Sequence, residues 1–176
     1  EFEKRMDVTP EEYLEMIGLK TAALIAGSLQ IGALIGEASY SESKYLYNFG
    51  WNLGLAFQLQ DDYLDTFGDP GVFGKNIGGD ILADKKTYLL IKALENANEL
   101  QKKELELLTG NKNLEPGDKI DRVKQVYRDT GVGDLTLIKA EQYYNRALKS
   151  MEKVNLPEDR KQYLLDLADQ MMRRQK

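Results

Sequence analysis

The sequence predicts an all-α helical bundle. Three observations carry that prediction. Apolar residues recur at helical spacing over nearly the whole chain, helix starts and stops punctuate it, and no stretch alternates apolar with polar as a half-buried strand would. The length of 176 residues suits one ordinary domain or a large piece of one, and a 42% hydrophobic content is enough for a core.

The elements follow in order. Thr9-Pro10-Glu11-Glu12 is a helix start, with a capping hydroxyl, proline at the first helical position and acids in the first turn. From Tyr13 to about Gly36 the chain is apolar on most faces and rich in Ala and Gly. Its most apolar part, Ala22 to Gly36, is 15 residues long. A spanning helix needs about 20, so a buried core helix is expected there rather than a membrane span. Ser41-Glu42-Ser43-Lys44 opens a second helix running to Gly68, where Asp69-Pro70-Gly71 breaks it. A long loop is expected from Gly68 to Asp84, and structureless loops of that length are usually functional or disordered. Further helices are expected over Lys86–Asn98, Glu99–Leu108, Lys119–Thr130, Leu135–Val154 and Glu158–Arg174, with a turn at Gly110–Gly117. The aromatics Tyr45, Tyr47, Phe49, Trp51 and Phe57 are expected to pack the core.

Composition excludes several kinds of chemistry. There is no histidine and no cysteine, which removes His-dependent triads, thiolate metal sites and a disulfide framework. The net charge of −5 argues against general nucleic-acid binding, which needs an excess of Lys and Arg. Glu1-Phe2-Glu3-Lys4-Arg5 lacks the apolar core of a signal peptide, and a cytoplasmic location is expected.

What remains is carboxylate, lysine and hydroxyl chemistry, and one segment concentrates it. Asp61, Asp62 and Asp65 form a DDxxD cluster at a helix end, where like charges repel and oppose the helix dipole. Asp61 and Asp65 are four apart and share a face. A divalent cation relieves that repulsion, and with neither Cys nor His present it is a hard, oxygen-bound ion such as Mg²⁺. The bland alternatives are a solvated acidic helix end or a weak Ca²⁺ site; the ligand pattern of an EF-hand is absent. Gln58 stands one turn before Asp62, and Lys75 and Lys85 follow in and just after the loop, placed to meet phosphate oxygens. Lys20 opens an otherwise apolar helical run. It either snorkels to solvent or meets an anion in a cavity.

Taken together, Lys20-Thr21-Ala22, FQxxDDxxD from Phe57 to Asp65, Gly68-Asp69-Pro70, Gly74-Lys75 and D-I-x-x-D-K-x-T-Y-L from Asp80 to Leu89 resemble the trans-isoprenyl diphosphate synthases. The closest likeness is to the farnesyl and geranyl diphosphate synthase branch, with FQxxDDxxD as the family's second aspartate-rich motif. The resemblance implies an all-α fold of the isoprenoid synthase type and homodimers. It implies Mg²⁺ on Asp61, Asp62 and Asp65, and an allylic diphosphate gripped by Lys20, Lys75 and Lys85. Thr21 and Gln58 become polar groups near the reacting carbon. The implied reaction is metal-assisted ionisation of the allylic diphosphate, attack by isopentenyl diphosphate, and proton loss to the departing diphosphate. The family's first aspartate-rich motif and its paired arginines are not found before Lys20. Residues 1–176 therefore match a C-terminal portion of one such domain, and this portion alone is expected to lack turnover. A catalytically dead, diphosphate-binding or partner subunit of the same fold is the alternative. A terpene cyclase is disfavoured, because no NSE-type motif follows.

Overall fold

A computed structural model describes residues 5, 7–69, 71 and 77–173 of the chain, and among these every regular element is helical. In order they are α1 (Pro10–Ile17), a π-helical turn (Gly18–Ala22), α2 (Ala23–Ile35), α3 (Tyr40–Phe67), α4 (Gly79–Leu82), α5 (Tyr88–Asn96), α6 (Glu99–Leu108), α7 (Pro116–Asp129), α8 (Val132–Glu152) and α9 (Glu158–Met172). The all-α expectation holds.

Local chemistry explains the boundaries. Thr9 Oγ1 accepts from the Glu12 amide at 3.2 Å while Glu12 Oε2 accepts from the Thr9 amide at 3.0 Å, a reciprocal cap that starts α1. Ser39 and Glu42 make the same arrangement at the start of α3, which therefore begins at Tyr40, one residue before the expected Ser41. Thr87 caps α5, and Asn98 with Gln101 boxes α6. Helix α7 begins three residues earlier than expected, because Glu115 caps Gly117 and Asp118 and leaves Pro116 in the first turn. Within the expected loop, Gly79–Leu82 forms the short helix α4; residues 70 and 72–76, Lys75 among them, lie outside the described residues.

The chain divides into two compact units. The first holds residues up to Tyr13 together with Asp61–Leu137. Its core gathers Ile81, Leu89, Leu105, Leu108, Val126 and Val132 from α4 to the start of α8. The second unit is Leu14–Gln60 with the residues from Ile138 onward, and its core gathers Leu46, Phe49, Leu53, Ala147, Met151 and Ala168. There Gly54 of α3 approaches the π-helical turn so closely that a Cβ would stand 2.6 Å from Ala22 Cα; only glycine allows that contact. Phe49 is buried as expected, whereas Tyr45, Tyr47, Trp51 and Phe57 are half-buried.

The expected buried core helix is not what the structure shows. In α2 only Ala26 is fully buried, and Leu24, Ile31, Leu34 and Ile35 are 53–80% exposed. The helix is also longer than the 15-residue segment weighed as a membrane span. Pro10–Ile35 is a continuous 26-residue helix, the one stretch among the described residues long and apolar enough, by length and composition, to cross a membrane. The π-helical turn carries the helix through Gly18 without a break.

Candidate functional site

In the first unit the acid cluster occupies the last two turns of α3. Its three carboxylates have three different environments. Asp61 is exposed, Asp65 is half-buried, and Asp62 is only 3% exposed. The Tyr13 hydroxyl, itself buried, donates to Asp62 Oδ2. Burial first, then the Asp62 charge, pushes the Tyr13 hydroxyl far above its ordinary range, so it stays a donor. The Tyr13 ring lies 6.3 Å from that of Tyr88, tilted against it by 48°.

Asp65 faces the segment expected to be loop. Its carbonyl accepts from the Gly78 amide at 2.6 Å, and its Oδ2 accepts from the Asp80 amide at 2.8 Å. Gly78 has a φ of +86°, and a Cβ there would stand 2.8 Å from two carbons of Ile120. Both facts demand glycine. Lys85 Nζ donates to Asp80 Oδ1, so Asp65, Asp80 and Lys85 form one connected chain. Burial raises the Asp65 carboxyl, opposed by the Asp80 amide bond and helped by the charges of Asp80 and Asp61. The bond to Asp80 is the main cause that raises Lys85.

These groups suit a hard divalent cation held by one or two carboxylates and substrate oxygens, the usual arrangement for Mg²⁺. Asp61 and Asp65 are the residues that would hold it. Asp62 departs from the expected grouping because its carboxylate is turned inward onto Tyr13. Consistent with that, among the described residues no three His, Cys, Asp or Glu side chains converge as a ready-made metal cage.

In the second unit the π-helical turn carries Lys20 and Thr21. Thr21 Oγ1 donates to Gln58 Oε1 at 3.0 Å, joining two residues the sequence assigned to one task. Lys20 is exposed. Helical turns with i→i+5 bonding are rare and frequent at functional positions; nothing in the residue pattern signalled this one. Sequence reasoning also missed Tyr13, a tyrosine on an apolar helix with no motif around it. Asp80 stood inside a recognised block without being given a role.

The profile of the polyprenyl synthetase family matches residues 1–130. A geranylgeranyl pyrophosphate synthase from Geoglobus acetivorans is 37% identical over 98% of this chain and 51% of its own length. A geranylgeranyl diphosphate synthase from Sulfolobus acidocaldarius is 39% identical over 90% and 48%. A crystal structure of geranylgeranyl pyrophosphate synthase superposes with a TM-score of 0.90 at 42% identity, over 99% of this chain and 54% of that one. The chain belongs to the polyprenyl synthetase family, with the all-α isoprenoid synthase fold. It spans about half the length of these relatives.

Proposed function

We propose that the chain serves prenyl transfer, holding an allylic diphosphate for condensation with isopentenyl diphosphate. One observation carries the reading: the connected chain Asp65, Asp80 and Lys85, with the exposed Asp61 one turn before Asp65, sets acid and base together at the end of one helix in a member of this family. Asp61 and Asp65 present oxygens to Mg²⁺, which when bound supplies charge neutralisation on the departing diphosphate. Lys85, over half exposed and anchored on Asp80, offers a point charge to phosphate oxygen. Thr21 and Gln58 hold each other's rotamers and present oriented dipoles to a developing carbocation. Lys20, Lys75 and Asp62 enter the same proposal, the first two as diphosphate contacts and Asp62 as a carboxylate that acts from behind. No protein nucleophile or histidine base is needed.

The product is proposed only as a prenyl diphosphate. The resemblance suggested the farnesyl branch, whereas the relatives above are named for geranylgeranyl products. Homodimer assembly and a cytosolic location, with no membrane-spanning segment, belong to the same proposal; sedimentation and cell fractionation test them.

Calorimetry with inorganic pyrophosphate and Mg²⁺ tests the site. The expected result is Mg²⁺-dependent binding in the micromolar range, about −8 kcal/mol, weakened by Asp61→Ala. Unchanged affinity in that variant removes the assignment.

A further inference from the structure

Asp84 and Lys119 lie outside the acid cluster, and their geometry bears on it. Asp84 has a φ of +52°, one of two positive values at non-glycine residues among those described. An aspartate tolerates this conformation better than most side chains, yet it needs a reason to stay there. The reason is visible. Asp84 Oδ1 accepts from Lys119 Nζ at 2.7 Å and from the Gly110 amide at 2.9 Å. Lys119, on α7, has a side chain only 6% exposed. A lysine that deeply buried requires a partner, and removing one member of such a pair leaves an uncompensated charge. The contact thus pins the chain reversal after α4 to two separate elements, α7 and the turn that follows α6.

That reversal joins the two residues that matter next door. The Lys85 amide donates to the Asp80 carbonyl at 3.0 Å, and the Lys85 ammonium reaches the Asp80 carboxylate. Asp80 in turn donates its amide to Asp65. A cavity of about 20 Å³, lined by Asp80, Asp84, Lys85, Lys119 and Tyr127 among others, has room for about one water. Asp84 and Lys85 are consecutive, so a shift of the Asp84 backbone moves the backbone of Lys85 with it.

We infer that the Lys119–Asp84 pair is a positioning device that sets Lys85 and Asp80 for diphosphate. The inference rests on the diphosphate-binding reading above. A pair of apolar side chains would hold α7 in place equally well, because buried ion pairs often give no stability over well-packed hydrophobics. What apolar packing lacks is directionality: a carboxylate fixed by two donors from different segments holds its own backbone in one orientation.

The test is a thermodynamic cycle on the 176-residue chain, read as calorimetric affinity for pyrophosphate in Mg²⁺. The double variant Asp84→Gly/Lys119→Met leaves no buried charge, and glycine adopts the positive φ freely. It is expected to weaken pyrophosphate binding about 10-fold, the lower end for residues that orient a ligand-contacting group, while the affinity for Mg²⁺ alone stays unchanged. Introduced into Lys85→Ala, the same two substitutions are expected to change affinity less than about twofold, because coupled sites are non-additive. A 10-fold loss in both backgrounds marks a merely structural role and overturns the inference. So does unchanged binding by the double variant. Absence of Mg²⁺-dependent binding in the unsubstituted chain overturns the diphosphate reading and this inference with it. If the double variant does not fold, Asp84→Asn/Lys119→Met carries the same comparison, since asparagine keeps the backbone conformation and an acceptor for Gly110 while no buried charge is left unpaired.

Discussion

Tyr13 donates its hydroxyl to Asp62, binding the second turn of the first helix to the middle carboxylate of the DDxxD cluster across 49 residues of sequence. Both groups are almost fully buried, so water does not replace the contact once it is lost. Tyr13→Phe is expected to destabilise the chain by about 1–3 kcal/mol, the cost of removing a donor from a buried acceptor. Urea unfolding of the two proteins measures it, and a difference below about 0.5 kcal/mol counts against the bond.

Gly78 closes the turn that brings Asp80 to Asp65. Gly78→Ala must place a Cβ 2.8 Å from Ile120 at a φ of +86°. The backbone conformation alone costs about 1–2 kcal/mol for an L-residue, and the Ile120 contact adds to it. The variant is expected to melt lower and to bind pyrophosphate more weakly, because α4 loses its start. Equal melting temperatures would show that the turn is not built as described.

A pH dependence belongs to the start of α3. Hydrogen bonds from the Ser39 hydroxyl and amide hold the Glu42 carboxyl below its ordinary value of 4.5. A depressed carboxyl stabilises the fold above the ordinary value and loses that contribution as pH falls through the folded-state value. The melting-temperature gap between the unsubstituted chain and Glu42→Gln is therefore expected to be widest near pH 7 and to close as pH drops below 4.5. A gap that grows on acidification has the wrong sign for this mechanism.

The apolar face of α2 sets a prediction of another kind. Leu24 and Ile35 are 77% and 80% exposed, so replacing both with glutamine removes almost no packing. Stability is expected to stay within about 0.5 kcal/mol, while light scattering at high concentration falls, since contiguous exposed apolar surface promotes association. Loss of stability would mean that these side chains are packed rather than exposed.

Helical periodicity and capping residues made the architecture legible. Thr9-Pro10 and the Glu99–Leu108 helix read off correctly because the signals lie within one turn of the boundary. Glu115 was missed as a cap because a glutamate before Pro-Gly reads as turn. The burial of Ala22 to Gly36 was misjudged because hydrophobicity reports what a segment prefers, not what is present to cover it. At the site, DDxxD located the acids, yet not that Asp62 is buried against Tyr13. That contact depends on Tyr13, 49 residues distant, and no local spacing encodes it. Asp84 and Lys119, 35 residues apart, were illegible for the same reason.

Gly18–Ala22 holds a surplus residue that a regular α-helix has no place for. An inserted residue in a helix rotates whatever comes after it by about 100°, the angular step of a 3.6-residue turn. The wider turn absorbs that step within Gly18–Ala22, so the side chains it redirects are those of the turn itself, Thr21 at Gln58 and Ala22 against Gly54 among them. One codon's worth of length thus acts as a phase adjuster. It aims the side chains of Gly18–Ala22 in a direction that no substitution at Lys20 or Thr21 reproduces.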